Sequence, residues 1–265
     1  MMIYKKIAIE IKLLKLNTLH SILCQFGFNL LKLKNIIYIP WFIKCFFKYK
    51  NFSKNTKINY ISPVLGEHKE KSSSVIKHYF NQDLLVASYI YKNNPKKHVD
   101  VGSRIDGFVA HVATFRKIEV FDIRDNNFQF KNIRFKRKDI SKIDKGLINY
   151  CDSLSCLHTL EHFGLGRYGD QLDPSGHIKG FNNLIKILKT NGILYISFPI
   201  SNKNMTYFNS ERSFNPKEIL KWSNKLKLIK FDYIDDNEKI FLDVNLDKFF
   251  KNIKHGCGIY TFKKK

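Results

Sequence analysis

Apolar and polar positions change rhythm along this chain. Residues 74–94, SVIKHYFNQDLLVASYIYKNN, repeat apolar side chains at helical spacing and stop at Pro95. HVDVGS (98–103) reads as a short buried strand ending in glycine, and GFVAHVATFRK (107–117) as a helix. IEVFDIR (118–124), IRFKRKDI (133–140) and YCDSLSCLHTL (150–160) supply three further strands. A glycine-rich loop follows, then a helix over 177–191 and the strand ILYISFPI (193–200). NPKEILKWSNKL (215–226) predicts a helix with Pro216 in its first turn, and two strands, 227–235 and 258–265, close the chain. Strands alternating with helices predict an α/β fold with a doubly wound, mostly parallel sheet, and the strand-rich finish adds an antiparallel edge strand.

The front of the chain follows a different pattern. Residues 4–26 and 28–50 read as two amphipathic helical stretches in which apolar residues are interrupted by lysines. Three segments result: a basic amphipathic helical extension over 1–60, a linker over 61–73 with Pro63 and Gly66, and an α/β domain over 74–265. The longest apolar run, 35–47, contains Pro40 and Lys44 and is too short to span a bilayer. Lysines, with tyrosine and tryptophan among the apolar residues, suit peripheral contact of residues 1–50 with a membrane surface. The plainer alternative is a helical subdomain packed on the main domain or on a second subunit.

Charge adds to this picture unevenly. The formal net charge is +23; residues 1–60 hold eleven lysines and one acid, Glu10. Only seven of the 46 basic residues are arginine, and proteins that read nucleic acid rely on arginine for bidentate contacts. The basicity therefore argues only weakly for a nucleic-acid partner. Five scattered cysteines form no C-x-x-C pair, which fits a reducing, cytoplasmic setting, and no stretch has the form of a cleavable signal.

In a doubly wound sheet, ligands bind beyond the carboxyl ends of the strands. The residues found there are Gly102, Arg104 and Gly107 after the first strand, Asp122 after the second, Asp139 after the third, and His158, Glu161 and His162 after the fourth. An acid about 20 residues past a glycine-containing first turn is the arrangement that accepts ribose hydroxyls; Asp122 lies 22 residues beyond Asp100. The string His158-Thr-Leu-Glu161-His162 also spells the H-x-x-E-H of inverted zinc proteases. That chemistry needs a helix, whereas this string follows a β-like run and meets Gly164 and Gly166 at once. The loop 161–177 gathers Glu161, His162, Arg167, Tyr168, Asp170, Asp173 and His177, and NSERSFNP (209–216) adds Glu211 and Arg212 as a lid at the same edge.

The succession DVGSR, VFDIR, KDI and LHTLEHF is similar to class I S-adenosylmethionine-dependent methyltransferases. More narrowly, HYFNQDLLVASYI, HVDVGSRIDGFVAHVATFR and LEHFGLGRYGDQLDP resemble the domain-of-unknown-function 268 family, over roughly residues 74–262. The resemblance implies a Rossmann-like methyltransferase fold and a setting among bacterial surface-polysaccharide (capsule or lipopolysaccharide) genes. It places Asp100 and Gly102 in the first cofactor loop, Asp122 on the ribose, and Asp139 with Ile140 at the adenine. Arg104 and Asp106 stand where the usual loop has further glycines, leaving Gly102 and Gly107; Arg104 either crowds the methionine half or clamps its carboxylate.

The expected activity is methyl transfer from S-adenosylmethionine to a sugar or sugar-linked group, which can be a nucleotide-linked sugar. Glu161, His162 and His177 are the candidate acid–base residues. Arg167, Tyr168, Asp170, Asp173 and Arg212 are candidates for the acceptor. A divalent metal on Glu161, His162 and Asp173 is a lesser alternative. The rival functions are a non-methylating protein that binds a nucleotide-sugar or a partner glycosyltransferase, and an RNA methyltransferase.

Overall fold

The computed structural model describes residues 18–52, 58, 60–70, 78–126, 129–142, 144–247, 249 and 252–265. The chain divides into two compact units, 1–74 and 75–265. Most of the first predicted helical stretch, and the segment 71–77 around the expected domain start at residue 74, lie outside the described residues.

In the first unit, residues 18–25 are helical (α1), a 3-10 stretch runs Leu30–Tyr38, and α2 covers Ile39–Phe52. Pro40 sits in the first turn of α2, where its missing N–H costs nothing. Trp41 stacks on His68 at 3.7 Å between ring centroids, and Tyr38 meets the same imidazole edge-on at 5.1 Å. No helix among the described residues is long and apolar enough to cross a membrane.

The second unit opens with α3, His78–Asn93, whose buried Gln82, Asp83, Val86, Ala87 and Ile90 recur at helical spacing. Its strands are β1 (His98–Val101), β2 (Ile118–Asp122), β3 (Ile133–Arg137), β4 (Cys151–Leu157) and β5 (Leu188–Ile200), followed by β6 (Met205–Tyr207), β7 (Glu211–Ser213), β8 (Leu226–Ile234), β9 (Ile240–Phe241) and β10 (Gly256–Lys264). Among the described residues one sheet runs β3-β2-β1-β4-β5-β10-β8-β9. Its first five strands pair in parallel, β10 lies antiparallel between β5 and β8, and β9 forms the short antiparallel edge. This is the class I methyltransferase-like Rossmann arrangement.

Alternation along the strands divides the core. Ile118 and Val120 of β2 pack on one side with Val86, Ile90, Phe108 and Val112, whereas Phe121 packs on the other with Leu184 and Phe181 of α5 (Gly176–Ile187). Between β1 and β4 the interior is polar. His98 meets Ser153 Oγ at 2.8 Å and Ser155 Oγ at 3.2 Å, and Ser155 donates on to Asp100. Burial pushes His98 down to about 3, so it sits in the sheet as a neutral imidazole.

Three predicted elements change form. The helix expected over 107–117 is a π-turn, Ile105–Val109, closed by Val109 N–H donating to Arg104 C=O at 3.2 Å, and then a single α turn (α4, Ala110–Ala113). The helix expected over 215–226 shrinks to a 3-10 turn, Glu218–Lys221, since its buried anchors Ile219 and Trp222 lie three apart, the period that turn stacks. Within the expected lid at 209–216, Glu211–Ser213 form β7, which pairs with β6 as a separate two-stranded sheet.

Candidate functional site

Strand order reverses between β1 and β4, and the crevice at their carboxyl ends holds some of the sequence candidates. At the end of β1, fully buried Asp100 accepts bonds from Ser103 N–H (3.0 Å), Ser103 Oγ (2.6 Å) and Ser155 Oγ (2.5 Å). Burial still pushes its carboxyl up to about 6. Asp100 has no solvent exposure, and its bonds hold the β1 loop back onto β4. Gly102, at φ +70°, does line the crevice, and a Cβ there would stand 2.4 Å from Thr159 Cγ2. Gly107 does not line it. A Cβ at Gly107 would stand 2.4 Å from Asp83 Oδ2, so this glycine permits the π-turn to approach α3, and its expected place in the cofactor loop is corrected.

Two connected clefts result. The inner one has Asp122 and Asp139 on its walls together with apolar Phe121, Ile123, Ile140 and Phe163. The outer one is bounded by Tyr79, Arg104, Arg167 and Glu211. Gly102, Asp122, Arg124, His158, His162 and Tyr168 border both. Asp122 accepts Arg124 in a fork, Nε to Oδ1 at 3.0 Å and Nη2 to Oδ2 at 2.7 Å. Oδ1 also accepts Arg124 N–H at 2.9 Å, so three of a carboxylate's roughly four acceptor sites are used, and taking both hydroxyls of a diol requires the guanidinium to yield one. Asp139 Oδ1 accepts both the N–H (2.9 Å) and the hydroxyl (2.6 Å) of Ser141. Arg104 is tied to Asp106 at 2.8 Å and borders the outer cleft only.

The loop 161–177 is held by bonds of its own. Gly164, at φ +78°, would place a Cβ 2.0 Å from Asp173 C=O, and its N–H donates to Asp170 Oδ2 at 2.7 Å. Asp173 accepts from Lys179 Nζ at 2.6 Å and from Ser175 N–H, and that ion pair holds its carboxyl below the usual range. The trio Glu161, His162 and Asp173 is therefore not assembled, and among the described residues no group of three or more His, Cys, Asp or Glu side chains is placed to hold a metal.

Arg212 changes role. Its side chain is buried and donates to the carbonyls of Glu161 (3.2 Å), Phe163 (2.7 Å) and Pro174 (3.4 Å), clamping both ends of the loop and bordering neither cleft. Arg212→Lys, which cannot span three carbonyls, is expected to lower unfolding free energy by about 2 kcal/mol in urea titration. His177 is likewise packed away from both clefts, 5.2 Å from the Phe214 ring and 5.3 Å from Trp222, and burial pushes it down to about 4. Its expected catalytic role gives way to a place in the aromatic core.

The H-x-x-E-H string starts just past the end of β4 and closes in one 3-10 turn, Leu160–His162, so its histidines share no helical face. His158, at φ +47°, places Nδ1 3.0 Å from Glu161 Oε1 and Nε2 3.3 Å from Cys257 Sγ. Glu161 is 1% exposed, and its Oε2 has no hydrogen-bond partner. Burial is the main cause that pushes Glu161 up to about 8 and His158 down to about 4, so both are neutral near pH 7. Glu161 lines neither cleft; His162 lines both. His162 Nδ1 donates to Ser210 C=O at 2.7 Å, which leaves Nε2 as the acceptor, and burial lowers its pKa.

Tyr79, Arg124, Ser141 and Thr159 are among the cleft residues that escaped the sequence reading. Arg124 and Ser141 had a signal available, each standing two residues past an aspartate at a strand end. Tyr79 had none, because α3 reaches the site only through tertiary packing.

The family described as "Caenorhabditis protein of unknown function, DUF268" matches residues 98–237. No curated protein matches the sequence. Among solved structures, the N-methyltransferase NodS from Bradyrhizobium japonicum WM9, in complex with S-adenosyl-L-homocysteine, is 12% identical with a TM-score of 0.48, covering 70% of this chain and 85% of that one. The 1,6-didemethyltoxoflavin-N1-methyltransferase of Burkholderia thailandensis is 15% identical with a TM-score of 0.48, covering 78% and 93%. The [4+2]-cyclase SpnF is 12% identical with a TM-score of 0.49, covering 69% and 80%.

Proposed function

The chain belongs to the DUF268 family, and from that premise we propose that it is an S-adenosylmethionine-dependent methyltransferase acting on a hydroxyl of a sugar or sugar-linked group. One observation carries the reading. Asp122 and Asp139, at the ends of adjacent strands, border one partly apolar cleft with Gly102, and His162 stands where that cleft joins a polar one. The inner cleft fits the cofactor. Asp122 would accept the ribose hydroxyls, Ile123 and Ile140 would flank the adenine with Asp139 at its edge, and Gly102 would admit the chain at the β1 turn. When bound, S-adenosylmethionine supplies an electrophilic methyl group.

The outer cleft would take the acceptor. Tyr79 and Tyr168 line its wall, and Glu211 would accept hydroxyl hydrogens. Arg167 carries a positive charge whose polar contacts are Ser210 C=O and His162, which suits an anionic substituent such as a sugar-linked phosphate. His162 would take the acceptor proton on Nε2, held in that tautomer by Ser210 C=O. Glu161 acts through His158 and His162 as a positioning residue, contacting neither ligand.

Calorimetric titration of the purified protein with S-adenosyl-L-homocysteine tests the cofactor assignment. Saturable one-to-one binding is expected, and no heat or thermal shift at millimolar ligand would overturn it. A non-methylating nucleotide-sugar binder is the second reading, favoured by the Arg124 fork on Asp122 and by Arg104 in place of a loop glycine. An RNA acceptor is disfavoured because Asp106, Asp125 and Glu211 line the outer cleft beside its arginines.

A further inference from the structure

The first unit carries a surface that the proposed chemistry does not use. Residues 11–66 contain nine lysines and no aspartate or glutamate. No described residue of α2 is buried, although most of that helix is apolar or aromatic. Ile39, Ile43 and Phe47 recur one turn apart, at 39%, 47% and 57% exposure, with Trp41 and Phe52 also open to solvent. Lys44 and Lys48 recur one turn apart between them, and the preceding 3-10 stretch exposes Leu33, Ile36 and Ile37 beside Lys32 and Lys34.

We propose that this unit is an anionic-lipid docking surface, with α2 and the 3-10 stretch lying in the headgroup plane of a bilayer. An apolar surface of this extent asks for a cover, and charge decides which. A second copy would bring lysine against lysine with no carboxylate in the same stretch to neutralise either. An acidic headgroup layer neutralises them, while the apolar and aromatic side chains enter the acyl boundary. Lying in the plane of the surface brings both the apolar and the basic side chains of α2 to the bilayer; no helix among the described residues is long and apolar enough to cross it. The proposal stands whether or not methyl transfer is the activity.

The test is flotation of the full-length protein with vesicles of phosphatidylcholine alone and of phosphatidylcholine mixed with phosphatidylglycerol. Flotation is expected with the mixed vesicles only, reversed by high salt. Lys44→Gln and Lys48→Gln should each weaken partition about five-fold. Ile43→Ser with Phe47→Ser should abolish it while leaving thermal unfolding unchanged, since both side chains are exposed. Failure to float with anionic vesicles, equal flotation with neutral ones, or a stable dimer in light scattering that floats with neither would each overturn the proposal. The salt dependence of the unaltered chain keeps the test open if a variant fails to fold.

Discussion

Asp122→Ala is expected to weaken S-adenosyl-L-homocysteine binding by roughly 100- to 1000-fold, while Arg124→Ala leaves affinity unchanged or raises it. The two side chains are locked together, yet they act on a ribose in opposite directions. Asp122 supplies the acceptors for a diol, and each hydrogen bond to a charged group contributes about 1.5–3 kcal/mol. Two such bonds, less what the ligand-free protein loses by disturbing the Arg124 fork, leave a net of about 3–4 kcal/mol. Arg124 competes for the same oxygens from Nε at 3.0 Å and Nη2 at 2.7 Å, so its removal frees them. Its other contact, the Tyr168 ring 4.7 Å away, belongs to the loop over the cleft. Parallel calorimetry of both variants decides the matter. Equal losses in the two would mean that the pair matters only as a structural unit, and would remove Asp122 from the binding site.

Glu161→Gln is expected to make thermal stability far less sensitive to alkaline pH, with the advantage over the unaltered protein widening from about pH 5 to about pH 8. The carboxyl is pushed up to about 8 by burial from an ordinary value of 4.5. Below 4.5 the folded and unfolded chains both hold the proton, so this group adds no pH dependence. Between 4.5 and about 8 the unfolded chain has released it and the folded chain keeps it, so each rise in pH costs stability. Above about 8 the folded protein holds a buried carboxylate whose Oε2 has no partner, and the whole cost is present. At about 1.4 kcal/mol per pKa unit the difference between variants should grow by about 4 kcal/mol, or roughly 10 °C in Tm. Glutamine mimics the neutral acid and can donate to His158 Nδ1 as the protonated carboxyl does. A Tm difference constant from pH 5 to 9 would show that Glu161 is ionised throughout.

Legibility from sequence followed the range of the interactions concerned. Asp122 and Asp139 could be placed at strand ends because a short buried run followed by an acid is a local pattern. Arg212, His177 and Gly107 had the right residue type at the right edge of the sheet and still took structural roles. Arg212 is drawn to carbonyls at 161, 163 and 174, His177 to Phe214 and Trp222, and Gly107 to Asp83. None of these partners lies within a helical turn of its residue, so local spacing could not reveal them.

The H-x-x-E-H string shows the same division within five residues. Sequence alone determined that it ends a strand and cannot continue as a helix, since Gly164 and Gly166 follow it. It also determined the succession of strands and the acids at their ends, because burial of short apolar runs is dictated locally. Tertiary structure decided which of the three side chains meets a ligand. Cys257 of β10 stands 3.3 Å from His158, and Glu161 is closed off from solvent while His162 keeps a place on the cleft wall. Burial is set by what the rest of the chain brings alongside, and it made one carboxyl a neutral interior group while its neighbour remained open to chemistry.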